Sequence, residues 1–137
     1  MNPAEKKIEL AKIAAEIAGC RDCRLCEQRT KVVPGSGDPD AEILFIGEGP
    51  GKSEDARGVP FVGAAGKFLD TMLASIGLAR ENVFIANVVK CRPPGNRDPA
   101  PEEVAACWPF LEKQIEIIAP KLIATLGRHS MNRFLPG

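Results

Sequence analysis

The chain has 137 residues, with 18 Lys and Arg balanced by 18 Asp and Glu, one His, five Cys, one Trp and no Tyr. At roughly 150 residues per domain this describes a single domain, residues 1–137, able to bury about 68% of its unfolded surface. Apolar residues at 45% and charged residues at 26% exclude a disordered chain or a coiled coil, and zero formal net charge excludes bulk attraction to nucleic acid. No apolar run approaches the ~18 residues of a membrane span. The N-terminus, charged from Glu5 onward, lacks the continuous apolar stretch of a secretory signal. The expected location is therefore the cytoplasm. Thiols stay reduced there, so an odd number of cysteines points to metal or cluster ligation ahead of disulfides.

The first predicted element is a helix. Asn2 caps it, Pro3 suits the first helical position, and Glu5 completes a capping box. Ile8, Ala11, Ala14 (or Ala15), Ile17 and Ala18 set its apolar face, and Gly19 stops it, leaving Cys20 just beyond the end. Residues 34–41 form a turn-rich loop. Residues 42–46 read as a short buried strand that empties into Gly47-Glu-Gly-Pro-Gly51. A helix is predicted over residues 64–76, with Phe68, Leu69, Met72, Leu73 and Ile76 on one face. Residues 82–89 read as a second strand, followed by a Pro- and Gly-rich loop over 91–99.

Pro101 opens a long helix to about Ala119, with an inner stripe of Val104, Cys107 (or Trp108), Leu111, Ile115 and Ile118. Residues 121–126 form a third strand and 128–135 a further helix. Strands alternating with helices predict an α/β fold: a three-layer sandwich with a central parallel sheet flanked by helices. In such sheets the ligand lies beyond the carboxyl ends of the strands, where the loops 47–61 and 87–97 fall.

Cys20-x-x-Cys23, Cys91 and Cys107 come from three remote segments. Four such thiolates could close a tetrahedral zinc site or hold a [4Fe–4S] cluster. Cys26 extends the pair to Cys-x-x-Cys-x-x-Cys, so on spacing alone Cys26 competes with Cys107 as the fourth ligand.

Gly51-Lys52-Ser53 imitates the end of a phosphate-binding P-loop, but the glycine that motif needs at position 46 is Ile46, and Pro50 removes an amide. Nucleotide binding is not expected. The loop offers unhindered backbone beside Glu48, Glu54 and Asp55. Gly58-Val-Pro-Phe61-Val-Gly63 sets an aromatic ring among small neighbours. Asn87, in an otherwise apolar strand, needs partners for its donors and its acceptor oxygen. Lys90, Arg92 and Arg97, near the same strand end, are either phosphate contacts or a solvated basic loop.

These segments, in order and over about residues 13–135, resemble the iron–sulfur uracil-DNA glycosylases of family 4, found in bacteria and archaea. The resemblance rests on Cys20-x-x-Cys23-x-Leu25, Arg29-Thr30, Gly47-Glu-Gly-Pro-Gly51 with Glu54-Asp55, Gly58-Val-Pro-Phe61-Val-Gly63, Ala86-Asn87-Val-Val-Lys-Cys-Arg-Pro-Pro94, Asn96-Arg97, Glu102, Cys107 and Leu126-Gly127. It implies a uracil-DNA glycosylase-like domain that hydrolyses the N-glycosidic bond of uracil in DNA. It also implies a structural [4Fe–4S] cluster on Cys20, Cys23, Cys91 and Cys107, which favours Cys107 over Cys26. By the same resemblance Asn87 reads the uracil edge, Phe61 stacks on the ring, and Glu48, Gly49 and Pro50 line the base and water position. Glu48 and Glu54 are the catalytic candidates, Glu48 for electrostatic support or water positioning and Glu54 at the pocket wall.

The family pattern continues into a loop beginning His-Pro. His129 is followed by Ser130 and is not assigned that role. The expectation is a monomer with its C-terminal part missing and weak or no activity in this 137-residue piece. The partner is uracil-containing DNA, with no membrane involved. The alternative is a non-catalytic α/β module, cluster- or zinc-bearing, that binds DNA or another partner.

Overall fold

Asn2 does cap the first helix: its Oδ1 accepts from the Glu5 amide at 2.9 Å, while its Nδ2 donates to the Glu5 carboxylate at 2.9 Å. The helix, α1, runs Pro3–Ala18, and Gly19 closes it by donating to Ala15. The computed structural model describes residues 1–21, 24–27, 29–93, 95 and 97–126. Cys23, Asn96, His129 and the helix expected over 128–135 lie outside the described residues.

Four strands form the sheet: β1 (Ser36–Gly37), β2 (Ile43–Gly47), β3 (Phe84–Asn87) and β4 (Leu122–Thr125), in the order β1-β3-β2-β4. The three strands expected from sequence are parallel, with β2 central. β1, inside the segment read as a loop, adds a two-residue antiparallel edge along β3. It escapes a sequence reading because two residues carry no periodicity and the glycines on either side of Ser36, Gly35 and Gly37, have positive φ. Gly37 also lets the strands close up, since a Cβ there would stand 2.0 Å from the Val83 carbonyl oxygen.

Side chains alternate across the sheet. Leu44, Ile46, Phe84 and Ala86 face one core with α1 and α4 (Pro101–Ile118). Phe45, Val83 and Ile85 face the other with α3 (Ala64–Ser75). The result is the expected three-layer α/β sandwich. Among the described residues no helix is long and apolar enough to cross a membrane.

Two helices sit in a different phase from the one read in the sequence. In α1 the buried side chains are Lys6, Leu10, Ile13 and Ile17, and Ile8 is exposed. In α3 the buried residues are Gly66, Leu69 and Leu73, while Phe68, Met72 and, just past its end, Ile76 face outward. Lys6 explains the first shift: its ammonium caps the carboxyl end of α4 at the Ile118 carbonyl (2.9 Å) and pairs with Asp40 (2.7 Å), drawing a charged residue inward. The small Gly66, packed against the Phe61 carbonyl, rotates α3 toward Leu69 and Leu73. A short helix, α2 (Lys52–Arg57), also occupies part of the loop expected over 47–61. The second strand is shorter than the expected 82–89. Residues 80–82 form a 3-10 turn, and the chain leaves the sheet after Asn87, so Cys91 lies four residues beyond the strand.

These phases give a direct test by urea unfolding. Ile8→Ser and Ile76→Ser should each change stability by less than about 0.5 kcal/mol. Leu73→Ala should cost about 2–5 kcal/mol, because it empties a fully enclosed position.

Candidate active site

β2 and β3 end side by side, and their last paired residues are Gly47 and Asn87. The loop after β2 stays attached to the chain after β3: the Val88 amide donates to the Gly47 carbonyl (2.9 Å) and the Val89 amide to the Glu48 carbonyl (3.1 Å). Gly49 is small for the same reason, since a Cβ would stand 2.7 Å from Val89 Cγ2. Gly47 is the critical small residue. A Cβ there would lie 2.5 Å from Phe61 Cζ and 2.6 Å from Asn87 Oδ1, so the ring and the amide meet only because that Cβ is missing.

A cavity of about 120 Å³ opens at this place, lined by Gly49, Glu54, Phe61, Ala65 and Asn87. Glu48 and Pro50 belong to the same loop but are not among the lining residues; Glu48 is half-buried and Pro50 buried. Asn87 is 1% exposed. Its Oδ1 is the one buried side-chain acceptor among the described residues that has no hydrogen-bond partner. A buried carbonyl left this way costs free energy until a donor reaches it.

Glu54 reaches the cavity wall from α2 with both carboxylate oxygens engaged. Oε1 accepts from the Gly51 amide, and Oε2 from the amides of Val62 and Gly63, each at 2.9 Å. Desolvation pushes its pKa up, but these backbone donors outweigh it and hold the carboxyl below its ordinary range. The carboxylate therefore ties the glycine-rich loop to the Phe61 loop. Its neighbour Asp55, 4% exposed, accepts from the amides of Thr30 (2.8 Å) and Lys31 (3.4 Å), which fastens α2 to the segment that follows the first cysteines.

Phe61 has φ +52, a left-handed conformation that is rare for a bulky residue. Its carbonyl and that of Pro60 both accept from the Arg80 guanidinium, whose Nε pairs with Asp70 at 2.5 Å.

Cys91 and Cys107 are buried, and Cys20 and Cys26 are half-buried. Arg29 gathers the first group: Nη1 donates to Cys91 Sγ at 3.1 Å and Nη2 to the Ala18 carbonyl at 3.1 Å. Burial disfavours the Arg29 cation, but the hydrogen bond and charge of Cys91, with Cys26 and Cys20 behind it, raise its pKa. Cys107 instead acts on Lys90. Among the described residues no three Cys, His, Asp or Glu side chains form a group that could hold one metal ion; Cys23 lies outside this set.

Two residues read as candidate phosphate contacts are committed elsewhere. Lys90 is 1% exposed and donates to the Asn87 carbonyl (2.8 Å) and Gln114 Oε1 (2.7 Å). Burial pulls its ammonium down to about 7, with Cys107 acting in the opposite direction. Arg97 makes a two-pronged pair with buried Glu103, both contacts 2.7 Å. A basic residue next to a cysteine looks like surface in sequence, but here Lys90 is drawn inside by acceptors on Asn87 and Gln114.

A family model described as the uracil DNA glycosylase superfamily matches residues 34–137, which include every lining residue of the cavity. The chain belongs to the uracil DNA glycosylase superfamily. It is 59% identical over 122 residues to the type-4 uracil-DNA glycosylase of Sulfurisphaera tokodaii, covering 88% of this chain and 56% of that protein. To the type-4 uracil-DNA glycosylase of Archaeoglobus fulgidus it is 59% identical over 116 residues, covering 85% and 58%. To that of Thermotoga maritima it is 52% identical over 130 residues, covering 94% and 68%. The chain thus spans little more than half the length of the first two of these relatives.

Of the site residues expected from sequence, the structure brings Gly49, Glu54, Phe61 and Asn87 to one cavity. Gly47, Gly66 and Arg80 are not among those expected residues. The available signal for Gly47 was its place at the end of the first predicted strand, opening the glycine-rich run. Nothing local marks Arg80, which acts across 19 residues of chain.

Glu54→Gln replaces one acceptor oxygen by a donor facing amide donors. It should destabilise the protein by about 1–2 kcal/mol after allowance for partial exposure. Because the folded-state pKa is lowered, the Glu54 contribution is complete above the unfolded value of about 4.3 and is lost as pH falls through the folded value. Urea midpoints measured against pH should therefore converge for wild type and Glu54→Gln below the ordinary carboxylate range.

Proposed function

We propose that the protein removes uracil from DNA by hydrolysing its N-glycosidic bond. One observation carries the reading: the buried, unpartnered Asn87 Oδ1 at the wall of a cavity beside a phenyl ring. An acceptor held in this orientation requires a donor opposite it. Uracil supplies one at N3–H and offers O4 to the Asn87 amide nitrogen, whereas cytosine presents an acceptor at ring N3. A site built around a polar partner rejects the analogue lacking it far more strongly than an apolar pocket can. The uracil must leave the base stack to reach the cavity, and Phe61 offers it a stacking surface worth about 1–3 kcal/mol.

As the bond breaks, positive charge grows on the sugar and negative charge on the base. The Asn87 amide donor stabilises the departing base. Glu48, in the loop behind the cavity, orients water and supports the charge on the sugar, while Gly49 and Pro50 shape that approach. Glu54 is assigned the wall of the cavity and the connection between the two loops, since three amides occupy its carboxylate.

The cysteines fit a [4Fe–4S] cluster by their chemistry: thiols from three remote segments, with Arg29 offering a positive charge and an N–H to Cys91. Cys20, Cys23, Cys91 and Cys107 would hold it. Such a cluster would supply a structural cross-link between the three segments that carry these cysteines. Cys26 is left outside this ligand set.

Protein purified anaerobically should contain about four iron and four sulfide per chain, and Cys91→Ala should lose both together with cooperative unfolding. Incubated with a uracil-containing oligonucleotide, the protein extended to the length of its relatives should leave alkali-labile abasic sites. Asn87→Asp should lower the rate about 10²–10³-fold. Absence of base release by cluster-replete protein, where a control glycosylase succeeds, would overturn the reading.

A further inference from the structure

We propose that Arg80 is a positioning residue for base recognition: it holds the backbone of Phe61 so that the ring stays over Gly47 and beside Asn87. The inference rests on the glycosylase reading, because it gives the Phe61 ring the task of stacking on the base.

Arg80 stands in the 3-10 turn Arg80–Asn82 just before β3, and its side chain is 26% exposed. Its guanidinium donates to three backbone carbonyls. Nη1 donates to the Pro60 carbonyl at 2.8 Å, and Nη2 to the carbonyls of Phe61 and, at 3.3 Å, Gly66. Nε donates to Asp70, which fixes the plane of the fork from α3. The residue so gripped is the one whose φ, +52, an L side chain rarely adopts. Such a conformation persists only where surrounding contacts over-determine it.

The grip has a fixed counterpart. Gly66 presses against the same carbonyl so closely that a Cβ would lie 1.8 Å from the Phe61 oxygen. Gly47 receives the ring edge on the opposite side. Phe61 is thus held at its carbonyl by Arg80 and Gly66, while its ring is free to line the cavity. A lysine cannot replace the fork, because a single ammonium lacks its planar spread of donors.

The test is a double-mutant cycle read by calorimetric titration with free uracil, together with the nuclear Overhauser contact between the Phe61 ring and the Gly47 α-protons. Arg80→Ala should weaken uracil binding about tenfold, as Phe61→Ala does, and lose the contact. The double variant should bind no worse than Phe61→Ala alone, because both changes remove one ring from one place. If Arg80→Ala does not fold, Arg80→Lys replaces it in the same cycle, with the same expectation. A variant that keeps the ring contact, or losses that multiply in the double variant, would overturn the proposal. If wild-type protein binds no uracil, the glycosylase reading fails. The ring contact in wild type against Arg80→Lys then still decides whether Arg80 holds Phe61.

Discussion

The candidate site depends on a missing carbon atom. At the carboxyl ends of two parallel strands, Gly47 pairs with Asn87, and the space a Gly47 Cβ would fill is taken by the Phe61 ring and the Asn87 carbonyl. Any larger residue would drive the ring and the amide apart, whatever happened elsewhere in the fold. The sheet provides the constraint: two parallel strands in register bring their last residues together, and the Val88 and Val89 amides keep the two loops joined just beyond them.

Short-range links then convert that junction into a rigid wall. Glu54 joins the glycine-rich loop to the Phe61 loop through three amides, and Asp55 fastens the same short helix to the segment after the first cysteines. Behind Asn87, Lys90 bridges its carbonyl to Gln114, whose Nε2 donates to the Pro34 carbonyl at 2.7 Å. The buried ammonium thus spends its donors on a strand end and a helix. A cation that reads as a candidate for phosphate binding becomes part of the interior scaffold. Glu103 and Arg97 make a similar commitment at the start of α4, where Glu103 also accepts from the Ala100 amide at 2.7 Å.

Much of this was legible in the chain. The capping box at Asn2 and Glu5, the strand before the glycine-rich loop, Pro101 at the head of the long helix and the inward face of Cys107 all follow from local preferences and spacing. Asn87 stood out because a polar amide in an apolar strand demands partners. The helical phases of α1 and α3 were not legible, since Ile8 and Phe68 are as apolar as the residues that are buried. What turned them outward was Lys6 capping α4 and Gly66 meeting a carbonyl, both contacts with distant segments.

The sequence by itself determined the alternation of helices and strands, the layered α/β class and the two loops at the strand ends, because periodicity, capping and turn chemistry act over a few residues. Only the tertiary structure decided which basic residues are buried, that Glu54 spends its carboxylate on backbone amides, and that Arg80 reaches back 19 residues to grip Phe61. These outcomes depend on which segments the sheet brings into contact. Contact between remote side chains leaves no pattern in a linear chain.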